Sequence, residues 1–186
     1  MRLVEVGAHA GAVTATLDRH IQVVVALVVL PDGTLASGSW DGTVRLWDVV
    51  EAACVAKLTG HAAPVNALTV LSDGRLASAS DDKSVRLWDV ATRACVGVLE
   101  GHTGWVWALA ALSDGRLVSG SEDKTIRVWD TRPATAASTG VVARATPVVV
   151  LEGHTRAVVA LQPLPGGRLA SGSSDEAVRL WHLPPL

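Results

Sequence analysis

Short runs of β-branched and other apolar residues alternate with clusters of Gly, Asp and Ser along most of the chain. In the second repeat described below, apolar runs at about 65–70, 75–80, 84–89 and 94–99 are separated by turn-forming groups such as "SDG" at 72–74. Runs of this length between turn residues predict β-strands joined by tight hairpins. No segment reads convincingly as a helix, so the pattern predicts an all-β domain.

One segment occurs in four copies: "LASGSWDGTVRLWD" (35–48), "LASASDDKSVRLWD" (76–89), "LVSGSEDKTIRVWD" (117–130) and "LASGSSDEAVRLWH" (169–182). A His precedes each copy, and the steps from His to Ser, Ser to Asp and Asp to Trp are 17, 4 and 6 residues in all four. The four sets are His20, Ser37, Asp41, Trp47; His61, Ser78, Asp82, Trp88; His102, Ser119, Asp123, Trp129; and His154, Ser171, Asp175, Trp181. Four short antiparallel strands per repeat describe a propeller blade.

The repeats also define the organisation of the chain as one domain, 1–186. Their approximate bounds are 20–60, 61–101, 102–153 and 154–182. The third is longer because of an insertion, and the segment 131–147, rich in Ala, Thr and Pro, predicts a flexible loop, either neutral or partner-binding. Residues 11–19 contain a run like the outer strands of the later repeats, which predicts an outer strand that completes or precedes a blade.

Ser119, His102 and Asp123 are the ingredients of a nucleophilic triad. Their fourfold recurrence argues against that interpretation, because an enzyme needs one pocket with one nucleophile. Metal binding by the histidines is equally disfavoured, since they lie a whole repeat apart. The pattern therefore predicts no catalytic residue, no metal and no cofactor.

The repeats resemble the WD-repeat β-propeller family over about residues 11–182. The resemblance rests on Gly-His pairs at 60–61, 101–102 and 153–154 and on Trp-Asp pairs at 47–48, 88–89 and 129–130. The chain departs from the pattern at Arg19, before His20, and at His182, after Trp181, as terminal repeats often do.

This resemblance implies a β-propeller of four blades, each a four-stranded antiparallel sheet, in which every His, Ser, Asp and Trp set forms a structural hydrogen-bond network. It also implies a non-catalytic scaffold or adaptor for protein–protein interaction. The alternatives are a nucleic-acid-associated protein, a substrate-recognition subunit of the ubiquitin-ligase type and, less favoured, an enzyme.

Propellers of the resembled family have seven blades, or sometimes six or eight, so four blades predict an incomplete or open propeller. Three arrangements stay open: an open arc or part of a larger propeller, a closed four-bladed ring, and a half-ring that pairs with another chain. An open arc exposes an apolar blade face at each end, which predicts self-association as one outcome.

Three of the seven tryptophans, Trp40, Trp105 and Trp107, are not required by the repeat. The resemblance implies that they ring the channel mouth on the Gly-His side, where peptides dock, together with Asp81 and Glu122. Tryptophan beside carboxylates suits a peptide with a basic residue. The alternative is that Trp105 and Trp107 only fill space at the channel wall.

Charge and composition narrow the function classes. With 16 Lys and Arg against 18 Asp and Glu, the net charge is −2, which gives no general attraction to nucleic acid or membrane. Arg45, Arg86, Arg127 and Arg179 recur at one strand position and are interpreted as packing and ion pairing between blades. Two isolated cysteines and no signal-like start predict an intracellular protein, cytoplasmic or nuclear.

Overall fold

The computed structural model describes residues 13–132 and 143–185, and within them every helix or strand element is a strand. In chain order the sixteen strands are β1 Val24–Val29, β2 Leu35–Ser39, β3 Val44–Asp48, β4 Ala53–Leu58, β5 Val65–Val70, β6 Leu76–Ser80, β7 Val85–Asp89, β8 Ala94–Leu99, β9 Val106–Ala111, β10 Arg116–Ser121, β11 Ile126–Asp130, β12 Ala143–Ala145, β13 Val149–Leu151, β14 Val158–Leu164, β15 Arg168–Ser173 and β16 Val178–His182.

These strands form four sheets, one for each repeat, and each sheet is a blade. Blade 1 has the order β1-β2-β3-β4, blade 2 contains β5 to β8, blade 3 contains β9, β10, β11 and β13, and blade 4 contains β14, β15 and β16. Within a blade, successive strands pair antiparallel, as Leu76 opposite Trp88 illustrates between β6 and β7. The predicted all-β propeller architecture is confirmed.

The insertion in the third repeat differs from the expected loop. Its part 133–142 lies outside the described residues, but Ala143–Ala145 form β12, which pairs in parallel with β8 of blade 2. The backbone N–H of Glu100 donates to the carbonyl of Ala145 at 3.3 Å. The outer edge of β8 offers unpaired backbone groups, and a short passing segment satisfies some of them.

The outer strand expected at the N-terminal end of the arc is not present among the described residues. Blade 4 has three strands within the described residues, and 13–19 form no strand, although an outer strand was expected over 11–19. Residues 13–19 pair with no strand of the four sheets, so their backbone groups take no part in β-sheet hydrogen bonding.

Apolar side chains between consecutive blades make the core, in three clusters. The cluster between blades 1 and 2 contains Trp88, and the cluster between blades 2 and 3 contains Trp129. The cluster between blades 3 and 4 has Trp181 packed at its border. The innermost strands β1, β5, β9 and β14 contact one another in that order. No comparable contact within 13–132 and 143–185 links β14 back to β1, so the arc is open.

Candidate functional site: the blade networks and the tryptophan face

Each blade contains one His, Ser, Asp and Trp set with the same geometry. The histidine Nδ1 lies 2.7 to 2.9 Å from the aspartate Oδ2, and the Nε2 lies 2.7 to 2.8 Å from the serine Oγ. The tryptophan Nε1–H donates to the same serine Oγ at 2.7 to 2.8 Å. The chain of contacts therefore runs from the aspartate turn through the histidine and serine to the tryptophan on the third strand.

The direction of these hydrogen bonds follows from the chemistry of the groups. An indole can only donate, so the serine oxygen accepts from Trp129 in blade 3 and its own proton is available to His102 Nε2. His102 is then neutral with its proton on Nδ1, which donates to Asp123. Burial lowers the pKa of His102, and Arg127 adds to the effect, while Asp123 opposes it.

The aspartates receive several donors. Burial alone would raise the pKa of Asp82, but donation from His61 and Ser84 outweighs it, so the pKa lies below its ordinary value. Asp82 Oδ1 accepts from the Ser84 hydroxyl at 2.6 Å and Oδ2 accepts from the backbone N–H of Ala62 at 3.1 Å. The carboxylate thus joins the turn between the second and third strands to the turn that enters the innermost strand.

The serines are poorly placed for nucleophilic attack. Ser78 and Ser119 are fully buried, and Ser37 and Ser171 nearly so. Each hydroxyl lies between an indole and an imidazole inside a blade, where a substrate carbonyl has no access. The arrangement supports structure rather than triad chemistry.

The recurring arginines do not form an exposed basic stripe. Arg45, Arg86, Arg127 and Arg179 are each partly buried, and the Nε atom of each is buried without a hydrogen-bond partner. The Nη1 of Arg86 lies 3.6 Å from Cys95 Sγ, on the neighbouring outer strand. Because all four residues are partly buried, they do not form a shared exposed basic surface for a phosphate backbone.

Two of the remaining tryptophans, Trp105 and Trp107, lie at the start of the innermost strand β9, next to the histidine turn of blade 3. Trp105 and Trp107 form an edge-to-face pair with ring centroids 5.8 Å apart, and Trp105 is 43% exposed while Trp107 is half-buried. Edge-to-face contact is one of the preferred arrangements of two aromatic rings. The result is a partly solvent-facing aromatic surface on blade 3.

A β-bulge explains the orientation of Trp107. Val106 pairs with Ser121 and Ala108 with Gly120, so Trp107 is the extra residue left outside the ladder. The same bulge leaves Val25, Asn66 and Val159 unpaired in the other blades. Bulges redirect a side chain out of the regular alternation, and here they do so at one end of each innermost strand.

A second set of equivalent positions lies beside the bulges. At each of these positions the backbone N–H donates to the backbone carbonyl of the residue three places after the network histidine, at 2.8 to 3.0 Å. The four donor residues are Trp40, Asp81, Glu122 and Ser174. Trp40 is exposed, Asp81 is partly buried and Glu122 is exposed. Glu122 Oε2 lies 3.5 Å from the backbone nitrogen of Trp105, which places its carboxylate beside the aromatic pair.

The structure brings some predicted residues together and leaves others apart. Trp105, Trp107 and Glu122 are neighbours in blade 3, whereas no ring contact within the described residues joins Trp40, in blade 1, to that pair. One residue was missed: Asn66 Nδ2 donates to Asp81 Oδ1 at 2.6 Å and to the carbonyl of Val106 in blade 3 at 3.1 Å. The sequence did carry a sign of this role, because Asn66 is an amide at a position where the other repeats have Val or Trp.

Four stacked antiparallel blades, each with one His, Ser, Asp and Trp network, define the chain as a repeat propeller protein. The family model for the WD domain, G-beta repeat, matches residues 11–48, 52–89, 93–130 and 145–182. The chain belongs to the WD-repeat family. Within the described residues no helix is long and apolar enough to cross a membrane.

Among solved structures, the chain is similar to the crystal structure of the computationally designed Ika4 protein. The two are 29% identical with a TM-score of 0.76, and the match covers 94% of this chain and 99% of that one. The comparison with curated proteins gave no match.

Proposed function

We propose that this chain is a non-catalytic scaffold for protein–protein interaction, and that its partner-binding face consists of Trp40, Asp81, Trp105, Trp107 and Glu122. WD repeats on a propeller fold are in general interaction scaffolds, and the finer assignment rests on this face. The observation that carries it is the pair Trp105 and Trp107, held edge-to-face with one ring in solvent. Fixed, partly exposed tryptophans are typical of binding hot spots.

The charge around the pair favours a basic ligand. Glu122 places a carboxylate beside Trp105, and Asp81 is oriented by Asn66 at the equivalent position of blade 2. A Lys or Arg side chain can contact an indole face and a carboxylate at once, and both contacts strengthen where water is displaced. The ligand class is therefore a peptide segment with a basic residue next to an apolar one.

Selection from a displayed library of random linear peptides tests this proposal. We expect enriched peptides to carry Lys or Arg beside an apolar residue. Truncation of a hot-spot tryptophan costs about 2 kcal/mol or more, so Trp107→Ala should weaken binding of an enriched, dye-labelled peptide about thirtyfold in fluorescence polarisation. Glu122→Lys should weaken the basic peptide and improve an acidic counterpart.

Val150→Ala is the matched control, since Val150 is an exposed apolar residue on the outer strand β13 of the same blade, away from the bulge. It should leave the affinity unchanged. Selection of no peptide, or equal loss of affinity with Val150→Ala and Trp107→Ala, would show that the face does not bind peptides. Circular dichroism of each variant separates loss of binding from loss of fold.

A further inference from the structure

The two ends of the arc expose apolar faces that correspond to opposite halves of one packing arrangement. We name the side of blade 1 that carries Val24, Leu27 and Val29 the front face. We name the side of blade 4 that carries Gly172, Val178 and Leu180 the rear face. In the interior of the arc, the front of each blade packs against the rear of the blade before it.

The front face of blade 1 has lost the burial that its equivalents have. Val24 is 44% exposed, whereas the residues at the same position of blades 2, 3 and 4, Val65, Val106 and Val158, are 0% exposed. Leu27 is also exposed, while its equivalents Leu68, Leu109 and Leu161 pack against the inter-blade clusters.

The rear face of blade 4 shows the complementary loss. Val178 is 75% exposed, whereas its equivalents Val44, Val85 and Ile126 are at most 1% exposed. Leu180 is exposed too, and its equivalents Leu46, Leu87 and Val128 are buried. Each face therefore displays the side chains that an adjoining blade covers elsewhere in the same molecule.

The match extends to the contact of a valine with a glycine. A side chain at Gly38 would place its Cβ 2.9 Å from Val65 Cγ1, and one at Gly120 would place it 2.7 Å from Val158 Cγ1. Gly38 and Gly120 thus leave the space that the next blade's valine occupies, while blade 2 carries the small Ala79 at the same position. At Gly172 the same Cβ would meet only Ala160 of its own blade, at 3.4 Å, so the space beside Gly172 is open.

A polar contact follows the same logic. The guanidinium of Arg75 in blade 2 donates to the carbonyl of Thr131 in blade 3, and Arg116 Nη1 in blade 3 donates to the carbonyl of Pro184 after blade 4, at 2.8 Å. Arg168 holds the equivalent position in blade 4 and is exposed. The equivalent acceptor segment after β3 of blade 1, 49–50, is exposed as well.

We propose that a second copy of this chain docks its front face on the rear face of the first, with Val24 of one copy against Gly172 of the other and Arg168 reaching the 49–50 backbone. The contact joins two different faces, so it gives a ring where the rotation between copies closes and an open filament where it does not. The smallest ring that covers both faces of every copy holds two chains. The docked faces lie at the two ends of the arc and share no residue with the proposed peptide-binding face.

Sedimentation velocity and native mass spectrometry of the full chain test the proposal. The wild-type protein should form one species of two chains. Leu27→Asp damages only the front face and Leu180→Lys only the rear face, so each variant alone should be monomeric. A mixture of the two should recover a species of two chains, because one interface is then wild-type and the other sets Asp opposite Lys.

Ile21→Lys is the control for the introduced charge. Ile21 is exposed, but so are its equivalents Ala62, Thr103 and Thr155, and the position takes no part in blade packing. This variant should associate like wild type. A monomeric wild-type chain, association in both single variants, or no recovery on mixing would overturn the docking, and a series of ever larger species would overturn ring closure. Near-ultraviolet circular dichroism confirms that each variant is folded.

Cross-linking tests the register of the faces. In a Cys54→Ser, Cys95→Ser background, a Val24→Cys chain mixed with a Gly172→Cys chain should form a disulfide between copies. The equivalent Cβ positions at Gly120 and Val158 lie 3.1 Å apart, so a small outward shift brings the pair into the disulfide range of about 3.5 to 4.5 Å. Val24→Cys mixed with Ile21→Cys should not cross-link, and equal yields from both mixtures would overturn the register.

Discussion

Each repeat buries a carboxylate and supplies enough donors to keep it ionised. In blade 2, Asp82 accepts from an imidazole, a hydroxyl and two backbone N–H groups. A buried charge without such partners would cost several kcal/mol, so the donors and the aspartate require one another. The network therefore makes the order of the turns and the order of the strands interdependent within one blade.

Removal of one network residue leaves the buried polar groups of its neighbours without a hydrogen-bond partner. Asp82→Ala and His102→Ala should each lower the free energy of unfolding by about 1 to 3 kcal/mol, the usual penalty for an unsatisfied buried polar group. Urea denaturation measures the effect, with Glu51→Ala, an exposed turn residue, as the control. Unchanged midpoints in both network variants would contradict the structural role.

Acid should weaken the fold through the same residues. The folded-state pKa of His102 lies below its unfolded value of 6.5, so the folded protein binds fewer protons than the unfolded chain in that range. This contribution to stability is complete above pH 6.5 and is lost as the pH falls through the folded pKa. The network aspartates, also with lowered pKa values, add a second loss below about pH 3.9.

The expected result is a urea midpoint that decreases between pH 7.5 and pH 5 in the wild-type protein. His102→Asn removes that titration, so its midpoint should change less with pH over the same interval, although it is lower throughout. Parallel midpoint curves for both proteins would show that His102 does not contribute the pH dependence.

At the scale of the strand, two tryptophans in blade 3 have different roles because they point in different directions. Trp129 on β11 is completely buried against blade 2, whereas Trp107 leaves the ladder at the bulge of β9. Trp129 is part of the repeated spacing, whereas Trp107 is exposed by the bulge.

Truncation of these two residues should therefore have unequal effects on stability. Trp129→Ala should cost about 3 to 5 kcal/mol, because it leaves a large cavity between blades and removes the indole donor of Ser119. Trp107→Ala should cost clearly less and keep the fold. Urea denaturation decides, and equal destabilisation by both variants would mean that Trp107 belongs to the core and that the binding face is wrongly assigned.

At the scale of the whole molecule, residues 13–132 and 143–185 form an arc with three buried interfaces between blades and an exposed apolar face at each end. Each buried Val or Leu contributes about 1.5 to 3 kcal/mol relative to an exposed one. A single chain lacks this stabilisation at its two end faces, and a docked copy would supply it by burying the exposed side chains. These are Val24, Leu27, Val178 and Leu180.

Association through these faces predicts a melting temperature that depends on protein concentration. A partner that binds only the folded chain stabilises it by mass action, so Tm should increase as the wild-type concentration is raised. Leu27→Asp should show a lower and concentration-independent Tm. A constant wild-type Tm over a hundredfold range would contradict the association.

Much of the fold was determined by the sequence alone. The strands predicted for the second repeat at about 65–70, 75–80, 84–89 and 94–99 lie within one residue of β5 to β8. Local spacing suffices here, because turn residues set the strand ends and each repeat contains its own hydrogen-bond partners. The repeated spacing also made the family recognisable. That resemblance in turn implied which His, Ser, Asp and Trp residues would meet.

Only the tertiary structure decided the rest, because it depends on contacts between repeats. The pairing of β12 with β8, the link from Asn66 to blade 3 and the exposure of the two end faces each join or separate residues of different blades. No turn or period in one repeat encodes such a contact. The bulge that turns Trp107 outwards is likewise a property of pairing between strands, which the order of residues along one strand does not reveal.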